Sequence, residues 1–256
     1  MATHPYDQAL NSMEETLVDL ADRVVAPVSV ELAGAFVYRY QDRTAHQALV
    51  QKLARIISGL HVARLLVAHG FFQEQGVIQR VIDELNDDVA FLALGLINND
   101  LTPLHLEYLD AFYEEEFDKP GDALGSSQKR PMVSRQKIRA YLGRTEGTAD
   151  PSTQVEVMRT VSKLYSGFVH SASPHIMDMY GGEPPRWHVA GMLATPHVRD
   201  HQEDLWNYFY RSIASFALAA KAFGVEELYV AVRDYMQSFA AAAGQQYAHT
   251  TPPYDA

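Results

Sequence analysis

The feature that most constrains this chain is a helical period in its apolar residues. Leu49, Leu53, Ile56, Leu60, Ala63 and Val67 recur in steps of four and three, the spacing of one face of an α-helix. Ile78, Val81, Leu85, Val89, Leu92 and Leu96 repeat the pattern, as do Val198, Leu205, Phe209, Ile213, Phe216 and Ala220. A fourth stripe runs through Val225, Leu228, Val232, Tyr235 and Phe239. No segment alternates convincingly with the period of two that a half-buried strand requires. Each helix carries one apolar face that it cannot bury alone, so the sequence predicts an all-α fold, a multi-helix bundle of roughly eight helices.

Helix starts carry a common signature. Thr102-Pro103, Asp150-Pro151, Ser173-Pro174 and Thr195-Pro196 each set a capping oxygen before a proline. Such an oxygen accepts from an orphan N–H, and proline at the first helical position forfeits no hydrogen bond. Residues 119–134, KPGDALGSSQKRPMVS, read as an exposed loop, and 181–191 as a connection between helices. The tail, 244–256, is expected to fray. With no linker evident, 1–256 is expected to be a single helical domain.

Composition narrows the function classes. The chain has no cysteine, which removes disulfides, thiolate zinc sites and cysteine nucleophiles. Its longest apolar runs, 89–97 and 214–224, are too short or too interrupted to cross a membrane. The N-terminus has neither the basic start nor the apolar run of a signal peptide, so a soluble cytoplasmic protein is expected. A net charge of −11 argues against general affinity for nucleic acid. The charge is uneven, however: 119–144 holds Lys119, Lys129, Arg130, Arg135, Lys137, Arg139 and Arg144 against Asp122 alone. Two readings follow for 129–144, a cover over the acidic run at 107–118 or an RNA contact. Phosphate-binding glycine loops, G-x-S-x-G and H-E-x-x-H are all absent, and no cofactor is expected.

The candidate site lies in YSGFVHSASPHIMDMYGG, 165–182. His170 falls nine residues beyond Val161, about half a turn round at roughly 100° per residue. It therefore faces away from the expected apolar stripe of Val157, Val161, Leu164 and Phe168. Pro174 cannot bond back to His170, so the helix ends at 170–172. A short helix is then expected from Pro174 to Gly181-Gly182. This sets His170 at a helix C-terminus and His175 near an N-terminus, where the dipole shifts their proton affinities in opposite senses. The pair either performs acid–base work or satisfies backbone groups at the junction. Arg80 and Glu84, one turn apart, form a potential ion pair. His197 and His201 stand at the i, i+4 spacing of a two-imidazole metal site, with Asp178, His188 and Asp204 as further ligand candidates.

The blocks RTVSKLYSGFVHSASPHIMDMYGG and ARLLVAHGFFQEQGVIQRVIDELNDDVAFLAL together resemble an uncharacterised family of all-helical bacterial proteins. That family is distantly related to HEPN-type domains, and the likeness covers about 120 residues. The resemblance implies a cytoplasmic homodimer, or another homo-oligomer. It further implies a binding and interaction module with a polar pocket of Tyr165, Ser166, His170, Ser173 and His175, joined by Arg80 and Glu84. Its enzymatic alternative is a metal-independent ribonuclease in which His170, with Tyr165 and His175, carries the chemistry. HEPN ribonucleases use Arg-x4-6-His, whereas this block reads Tyr165-x4-His170. A literal Arg-x4-His occurs at Arg64 and His69. The remaining alternative is a histidine/carboxylate metal-binding protein.

Overall fold

The computed structural model describes residues 4–127, 130–145 and 151–242. Among them nine helices form the body: α1 (Pro5–Ala21), α2 (Ala45–His69), α3 (Phe72–Ile97), α4 (Pro103–Tyr113), α5 (Arg135–Thr145), α6 (Pro151–Val169), α7 (Ser173–Met177), α8 (Val198–Ala222) and α9 (Glu226–Ala242). The all-α expectation holds, with one more helix than the rough count.

Local chemistry fixes the long helices. Thr44 and Gln47 close a reciprocal capping box at the start of α2, with bonds of 3.2 and 3.1 Å. Gly70 ends α2 at φ 76°, and its backbone lies against the backbone of Met192, where a Cβ would stand 2.6 Å from an amide nitrogen. Thr102 and Pro103 begin α4 as expected. His105 Nδ1 there accepts the Thr102 N–H at 3.1 Å, and Nε2 donates to the Phe91 carbonyl at 3.0 Å.

The other proline signals hold only in part. Ser173 is the first residue of α7 and makes no cap; Ala172 occupies that position. Thr195 donates its hydroxyl to the Met192 carbonyl at 2.7 Å, and α8 begins two residues after Pro196. The Asp150 cap lies outside the described residues, as does the tail 244–256. Pro174 still opens α7 and only the cap fails there, whereas Thr195-Pro196 sits in a turn, which suits the same residues equally well.

The absence of strands is also corrected. β1 (Val28–Leu32) and β2 (Ala35–Arg39) form an antiparallel hairpin in which Val30 pairs with Val37. Its two-residue turn, Ala33 at φ 51° and Gly34 at φ 79°, needs two left-handed residues, which matches the twist of paired strands. β1 does alternate apolar and polar through Val28, Ser29, Val30, Glu31 and Leu32, but over five residues only, and β2 breaks the pattern with Phe36 and Tyr38 on the polar face. A smaller pair, β3 (Tyr180–Gly181) and β4 (Arg186–Trp187), lies in the 181–191 connection, and α7 stops at Met177 rather than at Gly181.

One hydrophobic core joins residues of α1, α2, α3, α4, α5, α8 and α9. The predicted stripe of α2 is buried throughout, and so are Leu205, Phe209, Ile213, Phe216 and Ala220 of α8. Each such side chain contributes about 1.5–3 kcal/mol by leaving water. In α3 the stripe departs from expectation. Ile78 and Val81 are only half-buried, whereas Gln75 and Gln79 are 0% exposed. In α6 Leu164 is 62% exposed, while Tyr165 and Phe168 turn inward.

Candidate functional site

The inward polar residues of α3 form one row, Gln75, Gln79, Asp83 and then Asn86 and Asp87, in steps of four and three. A matching row on α8 runs through His201, Asp204, Tyr208, Arg211 and Ser215. Three contacts join the rows. Gln75 Nε2 donates to the His201 carbonyl at 3.0 Å, Arg211 meets Asp83 at 2.7 Å, and the Ser215 hydroxyl donates to Asn86 Oδ1 at 2.8 Å. Residue numbers ascend together along both helices, so α3 and α8 run parallel and enclose a polar seam.

At one end the seam is charged. Asp87 and Asp88 are 5% and 4% exposed. Arg139 reaches Asp87 at 3.2 Å, Lys52 reaches Asp88 at 2.8 Å, and Arg135 pairs with Asp88 and approaches Asp87 at 3.7 Å. Burial, and then the neighbouring charge of Asp83, pushes the Asp87 carboxyl up to about 6 despite both arginines. Arg135 and Arg139 thus spend the centre of the basic segment on the interior. Of its other cations, Arg130 pairs with Glu116 at 3.0 Å and Lys137 with Glu107 at 3.4 Å, which fits the reading of a cover over the acidic run. Arg144 is exposed, and Lys129 lies outside the described residues.

At the other end the seam is neutral. The His201 ring stacks on Phe72, with centroids 4.5 Å apart, and burial followed by the nearby His197 drives its pKa down to about 4. Tyr165 enters from α6 with its ring edge-on to Tyr208, centroids 5.7 Å apart. Burial and the adjacent Asp204 raise the phenol, and burial also raises the Asp204 carboxyl, against a hydrogen bond from Tyr165. Several buried atoms here have no hydrogen-bond partner among the described residues. They are Gln75 Oε1, both amide atoms of Gln79, one terminal nitrogen of Arg80 and His201 Nδ1, while Ser212 Oγ, Asn86 Nδ2, Arg135 Nε and one terminal nitrogen of Arg139 are similarly unmatched towards the charged end. Such groups are costly to leave unmatched, on the order of 1–3 kcal/mol each.

The predicted site residues divide. Arg80 and Glu84 form their ion pair at 2.6 Å, and they continue the row that begins at Gly76 on the side of α3 facing α6. Phe168 lies against Gly76 so closely that a Cβ there would stand 2.5 Å from the ring. His175 packs on Phe168, centroids 4.2 Å apart, in space left by Gly167, and its carbonyl accepts from Gln73 Nε2 at 2.6 Å. Ser166 is half-buried, whereas His170 and Ser173 are exposed. His170 makes no side-chain hydrogen bond or ion pair among the described residues. The backbone accounts for the break: Ser171 takes φ 51°, and the Ala172 N–H returns to the Gly167 carbonyl at 2.9 Å. Tyr165 therefore joins the seam, and the two histidines lie apart from it.

The metal candidates also separate. His188 Nε2 donates to the Gly181 carbonyl at 3.2 Å, and the His201 ring is held between Phe72 and Phe168. Among the described residues no three His, Asp or Glu side chains are grouped to hold a metal ion. The literal Arg-x4-His match also divides, with Arg64 paired to Asp7 and His69 exposed. No helix among the described residues is long and apolar enough to cross a membrane.

Fold and seam define an all-α bundle with a polar seam beside its hydrophobic core. No protein family, curated protein or solved structure matches the chain. The seam's α3 half was missed in the sequence because only the apolar stripe of this helix, Ile78 to Leu96, was followed. The available signal was the spacing of Gln75, Gln79, Asp83 and Asp87, a complete polar row beside an apolar one.

Proposed function

We propose that this protein is a helical binding and interaction module that holds a small polar ligand in the neutral end of the seam. The observation that carries the reading is the cluster of buried, unpartnered polar atoms around Gln79, beside the Tyr165 phenol. A neutral imidazole, an amide, a hydroxyl and a guanidinium N–H offer hydrogen bonds of both senses to an uncharged or dipolar molecule. Native mass spectrometry tests this directly. Wild-type protein is expected to carry a non-covalent adduct above its 28.7 kDa chain mass, and Gln79→Leu to carry none. An adduct-free wild type, with a melting temperature unchanged or raised by Gln79→Leu, overturns the reading.

The interaction half of the proposal rests on exposed apolar side chains. Leu164, Val169, Met177, Trp187, Val189 and Leu193 all face solvent within a stretch of thirty residues. A homodimer formed through this face is expected to dissociate in Trp187→Ser/Val189→Asp, as read by sedimentation. The ribonuclease alternative draws on the exposed His170. Cleavage of RNA in the presence of chelator, lost in His170→Ala, would displace the binding reading.

A further inference from the structure

The end of the seam around Gln79 holds one carboxylate with no counter-ion. Arg80 is paired with Glu84 and Arg211 with Asp83, so neither guanidinium is left over for another acid. Asp204, between His201 and Tyr208 on the α8 row, makes no ion pair among the described residues. There only the Tyr165 hydroxyl bonds its carboxyl, and Asp200 and Glu203 add like charge. His201 offers no compensation, because burial and then His197 keep its ring neutral at physiological pH. Asp204 is half-buried, and a carboxylate drawn out of water without a cation is costly.

The unmatched atoms nearby divide into acceptors and donors. Gln75 spends its Nε2 on the His201 carbonyl, which leaves Oε1 as a free acceptor. Gln79, 0% exposed, leaves both an amide oxygen and an amide nitrogen unpartnered, and Arg80 leaves one guanidinium nitrogen. Gln79 and Asp204 occupy facing rows. Gln75 meets His201 at one side of them and Asp83 meets Arg211 at the other, so the residues between lie opposite one another. A carboxylate with two amide oxygens suits an ammonium group, and the N–H groups of Gln79 and Arg80 suit a carboxylate. Gln75 to Arg80 spans little more than one helical turn, about 5 Å of axis, so a ligand that meets both sets carries its opposite charges close together.

We propose that this end of the seam binds a free α-amino acid, its ammonium group on Asp204 and the amide oxygens of Gln75 and Gln79, its carboxylate on the N–H groups of Gln79 and Arg80. The choice of ligand rests on the binding role proposed for the seam. Thermal-shift titration of the full chain with each common L-amino acid, and with its N-acetyl form, tests it. At least one free amino acid is expected to raise the wild-type melting temperature. Its N-acetyl form, which has no ammonium group, should leave that temperature unchanged. Asp204→Asn should weaken the response at least about tenfold in apparent Kd. The same variant removes a carboxylate that no cation offsets, and its amide oxygen can still accept from Tyr165. Without ligand it should therefore melt no lower than wild type, so a lost response is lost binding and not lost fold. No response to any amino acid, an N-acetyl form as effective as its parent, or a response unmoved by Asp204→Asn would overturn the proposal. Native mass spectra tell its failure from failure of the binding role. An adduct kept by Asp204→Asn overturns the amino acid and leaves the seam a site for another molecule, whereas a wild type with neither adduct nor response ends both.

Discussion

The two ends of the seam solve the same problem in opposite ways. Around Asp87 and Asp88 the buried groups are charged, and long side chains from α2 and α5 reach in to pair them. Around Gln79 they are amides and an imidazole, with only the Arg80 guanidinium charged and already paired to Glu84, and the neighbouring helix comes close because Gly76 and Gly167 leave room for Phe168 and His175. The charged end therefore depends on reach and the neutral end on proximity. A buried charge demands its partner, whereas a buried amide can wait for a ligand at moderate cost. That difference makes the charged end a fixture of the fold and the neutral end the place for binding.

Breaking the charged end should have the largest effect. Arg139→Ala removes the near partner of Asp87 and leaves a 5%-exposed carboxylate with Arg135 alone at 3.7 Å. The expected loss is about 3–5 kcal/mol, measured by urea unfolding. Replacing both members, as in Asp87→Leu/Arg139→Met, should recover most of it, since no uncompensated charge remains. A double variant as unstable as the single one would mean that the pair specifies the packing of α5 as well as neutralising Asp87.

How far this contrast could be read from sequence depends on the residue. The stripes of α2 and α8 were legible because every position in them is apolar and all but Val198, at the start of α8, are buried. The seam was not, because Asp83 and Asp87 look like solvent-facing carboxylates until Arg139 and Arg211 are placed, and those lie 52 and 128 residues along the chain. Tyr165 was legible as unusual, but the side to which it points was not. The expected apolar face included Leu164, which faces solvent, and the helix is turned to bring Tyr165 and Phe168 inward. The hairpin escaped notice because the alternation of β1 lasts only five residues and Phe36 and Tyr38 of β2 interrupt it.

Proximity at the neutral end can be tested by a single methyl group. Gly76→Ala places a carbon about where the Phe168 ring lies, and Phe168 is also held by His175. Overpacking of this kind costs about 1–3 kcal/mol. Phe168→Leu in the same chain should restore part of that loss. The readout is the melting temperature, together with the adduct in native mass spectra, because α6 also carries Tyr165. Loss of the adduct from a folded Gly76→Ala protein would tie binding to the approach of α6.

The smallest effect is one of pH, and it sets the two ends against each other. His201 ionises at about 4 in the folded protein and near 6.5 in an unfolded chain. Its contribution to stability is present above about 6.5 and lost as pH falls towards 4, because the unfolded chain binds the proton first. Asp87 behaves in the opposite sense. Its pKa rises from 3.8 to about 6, so its contribution is present below 3.8 and lost as pH rises through 6. Between about pH 4 and 6 the two slopes oppose one another and nearly cancel. His201→Gln removes the upward slope, so stability should fall with rising pH, by at most about 1.4 kcal/mol per unit. Asp87→Asn should reverse the sign, and unfolding by urea at pH 4.5 and 5.5, each value approximate within that window, compares them. Parallel curves for the two variants would show that neither group carries the buried environment assigned to it, and the division of the seam into a charged and a neutral end would fail with them.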